Sequence, residues 1–201
     1  MSYKKIISFI NGENEAGSNI VAKAERCCHA GADEIFLYNY SKIEEDRNDF
    51  LTTLRQVAGA IDIPFFVGMY IGRFEDAKKA LYTGAEKLVI KYDILPEQEV
   101  LSEIIARFGS DRLMLEIDAG KEFESIDLDI DTFLIKHVDG NQGRRTVHIT
   151  EHVSTGRTGV TSPTGGHLIC GCAGVADVAS ELEPLERLGV HAYTSVVAFE
   201  R

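Results

Sequence analysis

Positive charge is scarce in this chain. Its 21 lysines and arginines face 32 aspartates and glutamates, giving a formal net charge of −11, and no long basic run interrupts the acidic balance. Such a surface repels a polyanion, which excludes nucleic-acid binding driven by phosphate neutralisation. A small anionic ligand is not excluded, because a local site can oppose the global charge. Long apolar runs are also absent. No stretch approaches the ~18 consecutive apolar residues of a membrane span. The opening Met1-Ser2-Tyr3-Lys4-Lys5-Ile6-Ile7 lacks the apolar core and small-residue cleavage pattern of a signal peptide. Cysteine is sparse and poorly placed for bridging. The four residues fall as Cys27-Cys28 and Cys170-x-Cys172, neighbours too close to pair well with each other. These absences predict a protein of a reducing compartment, the cytoplasm, with neither membrane nor nucleic acid as a partner. No nicotinamide fingerprint and no metal motif of useful strength is present, so no cofactor is expected.

What the chain does have is regular alternation. Lys5 to Ile10 is a short isoleucine-rich run that reads as a buried strand, and Asn19 to His29 is helix-like, with Gly31 placed to end it. Glu34 to Tyr40 reads as a second strand. Asp49 to Ile61 reads as a helix with Phe50, Leu54, Val57 and Ile61 along one face. Ile63 to Tyr70 follows as a strand, Arg73 to Thr83 as a helix closed by Gly84, and Lys87 to Tyr92 as a strand. Pro96 opens a helix that stops at Gly109, and Leu113 to Asp118 makes the fifth strand. Strands and helices at this spacing imply a parallel sheet with crossover helices, hence an α/β fold.

The second half is less regular. Thr132 to Val138 and Val147 to Val153 have strand character, and Ser154 to Gly166, loaded with Gly, Ser and Thr, reads as a loop. His167 to Cys172 then reads as a strand, Val175 to Leu188 as a helix and Val190 to Phe199 as a last strand. About eight strands in 201 residues predict a (β/α)₈ (TIM) barrel as one domain over 1–201. A full barrel usually needs ~250 residues, so one or more helices of the second half are expected to be reduced or missing. Because the last strand ends close to Arg201, two expectations stand. Either a homodimer or partner subunit covers the barrel edge, or the natural polypeptide continues.

Several segments form a recognisable series. They are Lys4-Lys5-Ile6-Ile7, Ala30-Gly31-Ala32-Asp33-Glu34, Ile61-Asp62-Ile63-Pro64-Phe65-Phe66-Val67-Gly68, Phe74-Glu75-Asp76-Ala77, Thr83-Gly84-Ala85-Glu86-Lys87, and Arg107-Phe108-Gly109 leading into Leu115-Glu116-Ile117-Asp118. This series resembles the cyclase subunit of imidazole glycerol phosphate synthase. It is similar, less closely, to the isomerase acting on phosphoribosylformimino aminoimidazole carboxamide ribotide. The likeness covers about the first three-fifths of the chain and resumes at Gly171-Cys172-Ala173-Gly174 and Ser195-Val196. It implies a ribulose-phosphate-binding-type barrel whose substrate phosphates sit in glycine-rich loops and at helix N-termini of the C-terminal face. It also implies two aspartates, ending the first and fifth strands, as general acid and base.

On that resemblance the fifth-strand aspartate is Asp118; the alternative for this residue is an Asp that caps the following turn through its own backbone. The first-strand position is Asn11, and the family's second-strand aspartate falls on Asn39. An amide hydrogen-bonds a substrate but neither gives nor takes a proton at neutral pH. Glu13, two residues beyond Asn11, is a weaker stand-in. The resemblance thus assigns Asp118 and Asn11 to the catalytic positions, and Asn39, Gly68, Gly171, Gly174 and Ser195 to substrate binding. Gly68-Met69-Tyr70-Ile71 stands where the family has three glycines, and its side chains would crowd the backbone approach a phosphate needs. Tyr92-Asp93 replaces a small polar pair, with Asp93 repelling phosphate, whereas Gly171 to Gly174 and Ser195 keep more of the other half-site.

Three other groupings have simpler readings. His148 and His152, four apart on a strand, would share a face and with Cys170 and Cys172 could be imagined as metal ligands, but ordinary polar strand residues explain them. Arg144, Arg145 and Arg157 flank the glycine-rich loop and either grip a phosphate or are solvated. Cys27-Cys28-His29 reads as helix packing. Two functions follow. One is a lyase- or isomerase-type enzyme acting on a phosphorylated ribosyl-aminoimidazole precursor. The other is a catalytically silent phosphosugar-binding or scaffold domain, part of a longer histidine-pathway polypeptide.

Overall fold

The structure, a computed structural model, describes residues 5–118, 130, 133–138, 145–150, 155–156, 159–160, 167–172 and 195–199, with side chains over 7–116 and at Ile130 and Leu134. The first half alternates as the sequence predicts. The elements are β1 (Lys5–Asn11), α1 (Gly17–His29), β2 (Glu34–Asn39), α2 (Glu44–Ala60), β3 (Phe65–Met69), α3 (Phe74–Leu81), β4 (Lys87–Lys91), α4 (Gln98–Phe108) and β5 (Leu113–Asp118). The pairs β1–β2, β2–β3, β3–β4 and β4–β5 are all parallel. Three helices start two or more residues away from their expected positions, α1 at Gly17 rather than Asn19 among them. In α2 the first turn is Glu44, Glu45 and Asp46, whose negative charge suits the positive end of the helix dipole and brings the start forward from Asp49. In α4 the first residue is Gln98, two beyond Pro96, and Gly109 ends the helix in a left-handed conformation (φ 91°) that suits glycine.

The later strands are β6 (Phe133–Val138), β7 (Arg145–Thr150), β10 (His167–Cys172) and β11 (Ser195–Phe199), with a two-residue ribbon of β8 (Thr155–Gly156) and β9 (Gly159–Val160) inside the glycine-rich stretch. The large sheet closes on itself in the order β1-β11-β10-β7-β6-β5-β4-β3-β2. An eight-stranded parallel barrel was the expectation. The closed sheet has nine strands among the described residues, and β7 runs antiparallel to both β6 and β10. Chain length explains the difference. A parallel crossover needs about a dozen residues, and only 139–144, containing Asp139-Gly140, separate β6 from β7. A hairpin is the connection that fits. The sheet closes through β11, which pairs with β1 on one side and β10 on the other. The helices predicted to be reduced, and the helix at Val175 to Leu188, fall outside the described residues.

Two cores follow from the strand period of two. One face of β1–β5 packs on the helices, through residues such as Ile10, Leu37, Val67, Leu88 and Leu115 against Ile20, Leu54, Ala77 and Leu101. The other face forms a cluster of strand residues alone, Ile7, Phe9, Phe36, Phe66, Val89, Met114 and Leu134. This second cluster faces the barrel interior. Phe9 meets Phe36 edge-on at 4.9 Å, and Phe36, Tyr38 and Tyr40 continue as an aromatic ladder up β2 (5.5 and 6.1 Å between centroids).

Candidate functional site

Parallel strands bring their C-terminal ends to one end of the barrel, where loops rather than packed side chains shape the surface. Asn11 ends β1 there. It is exposed, and its Oδ1 accepts the backbone N–H of Glu13 at 2.8 Å, an Asx turn that starts the loop to α1. Asn39 ends β2 and is buried. Its Oδ1 accepts the N–H of Ser41 at 2.9 Å, and its Nδ2 donates to the carbonyl of Gly12 at 3.3 Å. The two amides therefore fasten the β1–α1 and β2–α2 loops together. Glu13 adds a third tie, accepting the N–H of Tyr40 at 3.2 Å.

A cavity of about 520 Å³ opens between those loops and α2. Ile20 and Phe50 supply apolar wall, while Glu13, Glu15, Asp46 and Asp49 supply carboxylates. Glu15 is bridged by Lys23 at 2.7 Å, and Asp46 accepts from the Ser41 hydroxyl at 2.7 Å. The sign of this cavity opposes a phosphate.

Inside the barrel mouth the arrangement differs from any the sequence suggested. Glu116 is 1% exposed, and its Oε2 accepts a hydrogen bond from the Tyr40 hydroxyl at 2.7 Å. Burial first, and then the adjacent Glu116 charge, hold the Tyr40 phenol well above its usual range, so it stays protonated. Lys91, in register with Glu116, places its Nζ 6.0 Å from the centre of the Tyr40 ring. Gly68 borders the same space. A β-carbon there would lie 2.6 Å from the Tyr40 hydroxyl and 2.9 Å from Cζ of Phe36. At this position the missing side chain makes room for Tyr40. Sequence reasoning missed Glu116 and Tyr40, although a glutamate between Leu115 and Ile117 in a buried strand was the available signal.

The other named positions are spread out. Asp118 closes β5 in register with Lys136, on the same strand face as position 116; its side chain is not among those described. Gly171 lies one residue before the end of β10, beside Val197, and Gly174 lies outside the described residues. Ser195 opens β11 in register with Lys5, at the end of the barrel opposite Asn11. The structure thus brings Asn11, Asn39, Gly68 and the end of β5 to one barrel end, and does not bring Ser195 there. After β3, the amides of Gly72 and Arg73 both donate to Asp76 Oδ2 (3.1 and 3.2 Å), so the first turn of α3 is already capped by a carboxylate. Tyr92-Asp93 forms a 3₁₀ turn after β4. Cys27 is buried on α1, and Cys28 donates to Asp62 at 3.1 Å. His148 lies on β7, while His152, Arg144 and Arg157 lie outside the described residues. Among the described residues no group of three or more His, Cys, Asp or Glu is placed to hold a metal, and no helix is long and apolar enough to cross a membrane.

A family model described as "Histidine biosynthesis protein" matches residues 5–157, most of the chain. The chain belongs to the histidine biosynthesis protein family. Within this family it is similar to the imidazole glycerol phosphate synthase subunit HisF of Oleidesulfovibrio alaskensis, 38% identical over 98 residues, which are 49% of this chain and 38% of the relative. The subunit of the same name from Streptococcus sanguinis is 33% identical over 118 residues, 59% of this chain and 46% of the relative. The matched part of the chain spans less than half the length of these relatives. Among solved structures, a dihydropteroate synthase from Xanthomonas albilineans aligns at a TM-score of 0.47 and 14% identity, over 62% of this chain and 47% of its own. That likeness is too distant to bear on chemistry. Histidine-biosynthesis membership and the closed barrel agree on an α/β, TIM-like fold.

Proposed function

We propose that the chain is a divergent histidine-biosynthesis barrel, one cytoplasmic domain over 1–201, that binds a phosphorylated ribosyl-aminoimidazole precursor at the C-terminal barrel end. On this reading it acts by lyase- or isomerase-type proton transfer without a cofactor. The observation that carries the proposal is the position of Asp118, which closes β5 at the barrel end where Asn11 and Asn39 also lie. Barrel enzymes place their chemistry at this end. Asp118 moves the proton, Asn11 and Asn39 orient the substrate, and the Gly171–Gly174 turn holds one phosphate. The role first given to Ser195 finds no support in its register position. The relatives are named as subunits of a synthase, which supports a partner subunit for this chain as well.

The test is turnover of the phosphorylated precursor. Asp118→Asn should abolish it. Asn11→Asp, by restoring a group able to take a proton, should raise it by ~10²–10⁴-fold. Activity unaffected by Asp118→Asn would remove the enzymatic reading.

One observation favours a second reading, a catalytically silent phosphosugar-binding or scaffold domain within a longer histidine-pathway polypeptide. Asn11 cannot transfer a proton, and its carbonyl oxygen is engaged by the Glu13 amide. This reading predicts binding without turnover, and no gain from Asn11→Asp.

A further inference from the structure

We infer that Tyr40 and Glu116 form a proton relay in the barrel mouth, with Tyr40 meeting the substrate and Glu116 taking the proton behind it. The inference rests on the proposed proton-transfer reading and names the second acid–base group, which Asn11 leaves missing. A reaction that takes a proton at one atom and gives one at another uses two groups. Asp118 is one of them, and an amide such as Asn11 cannot be the other.

The strand period of two places the relay at the right end. The inward row of β5 runs Met114, Glu116, Asp118, and that of β4 ends at Lys91, two beyond Val89. On β2 the row is Phe36 and Tyr38, with Tyr40 just past the strand end. The Tyr40 hydroxyl crosses to Glu116 Oε2 at 2.7 Å. Tyr40 is half-buried, whereas Glu116 is 1% exposed. The tyrosine is thus the accessible member of the pair and the glutamate the shielded one.

Tyr40 is held at both ends. Its backbone N–H donates to Glu13 Oε1 at 3.2 Å, and Gly68 leaves the room its hydroxyl needs. A phenol fixed in this way still has oxygen lone pairs with which to accept from a substrate. Packing alone does not call for the pair, because an apolar pair of similar size avoids the desolvation that a buried carboxyl and phenol cost.

The step balances. A substrate C–H bond breaks and its proton bonds to the Tyr40 oxygen. In the same movement the Tyr40 O–H bond breaks, and that proton bonds to Glu116 Oε2. The electron pair of the C–H bond stays on the substrate, and Asp118 delivers its own proton at a second atom. The two carboxyl groups exchange protons with solvent between turnovers. The phenol never becomes an anion, in keeping with the burial and the Glu116 charge that hold it protonated. Lys91 Nζ, 6.0 Å from the ring centre, offsets the negative charge that develops on the substrate. Asn11→Asp adds a direct route beside the relay, which accounts for the parent's own turnover.

Turnover of phosphoribosylformimino aminoimidazole carboxamide ribotide by the whole chain tests the relay. Tyr40→Phe and Glu116→Gln should each lower kcat by ~10²–10⁴-fold. KM should stay within about threefold of the parent, because the relay acts in the transition state. The double variant should be within about threefold of the slower single one, since both changes break one path. Circular dichroism melts confirm that each variant is folded at the assay temperature. Glu116→Asp, a carboxyl on a shorter stem, is the milder variant and should keep more activity than Glu116→Gln. A kcat within about threefold of the parent in the folded variants, with Asp118→Asn inactive, would overturn the relay and leave the proton-transfer reading standing. Glu116→Asp falling below Glu116→Gln would overturn the relay as well. No turnover by the parent chain would overturn both.

Discussion

The Tyr40 hydroxyl donates to Glu116 Oε2 at 2.7 Å across the barrel interior, joining the end of β2 to β5. On β2 the Tyr40 ring continues the ladder of Phe36 and Tyr38, and Phe36 meets Phe9 of β1 edge-on. A buried carboxylate is tolerable only with hydrogen-bond donors around it.

Removal of the phenol should therefore be costly. Tyr40→Phe takes a donor from a carboxylate that is 1% exposed, and should destabilise the fold by about 1–3 kcal/mol. Urea unfolding of the two proteins measures it. A loss below about 0.5 kcal/mol would mean that the bond is not maintained in solution.

The same pair predicts a pH dependence with a definite sign. The Tyr40 phenol is held well above its usual range in the folded protein, by burial and by Glu116. The folded state then keeps the proton longer than the unfolded one, so this contribution is complete below the unfolded tyrosine value of about 10 and is lost as pH rises above it. Thermal melts from pH 8 to 11 should show a steeper alkaline decline for the parent than for Tyr40→Phe. Parallel curves would contradict the assignment.

Gly68 provides an independent check on how tightly that space is filled. A β-carbon at this position would approach the Tyr40 hydroxyl to 2.6 Å. Gly68→Ala should cost about 1–3 kcal/mol through overpacking. In the Gly68→Ala/Tyr40→Phe double variant the two losses should fall short of additive, because the hydroxyl being crowded is gone. Strict additivity in a double-mutant cycle would place Tyr40 elsewhere.

Asp76 offers a further prediction, away from the barrel axis. It is buried and takes the amides of Gly72 and Arg73 at the start of α3. Asp76→Ala should lower stability by about 1 kcal/mol, with faster amide exchange over 72–76, whereas Asp76→Asn should recover much of the loss. Hydrogen exchange read by mass spectrometry distinguishes these outcomes.

The half of the chain with strict alternation was legible from the sequence because each strand was a short apolar run bounded by glycine or a turn. There β5 at Leu113–Asp118 has the bounds that pattern predicts, and in the second half the apolar run of β10 at His167–Cys172 does as well. The middle was less legible for a topological reason. β6 and β7 were both readable as strands, but strand character does not carry direction. Only the short 139–144 connection signals a hairpin, and the assumption of a uniform parallel barrel hid it. At the barrel end, the resemblance named Asn11, Asn39 and Asp118 and passed over Glu116, one inward position below Asp118. Tyr40, the partner of Glu116, lies 76 residues away in sequence, and no local pattern joins them.

The central claim is that the C-terminal barrel end binds a phosphorylated sugar. A thermal-shift titration with imidazole glycerol phosphate and ribulose phosphates tests it most directly, because a ligand that binds only the folded state raises the melting temperature by mass action. The account predicts a rise that grows with ligand concentration. An unchanged melting temperature at millimolar concentrations of all these compounds would contradict it.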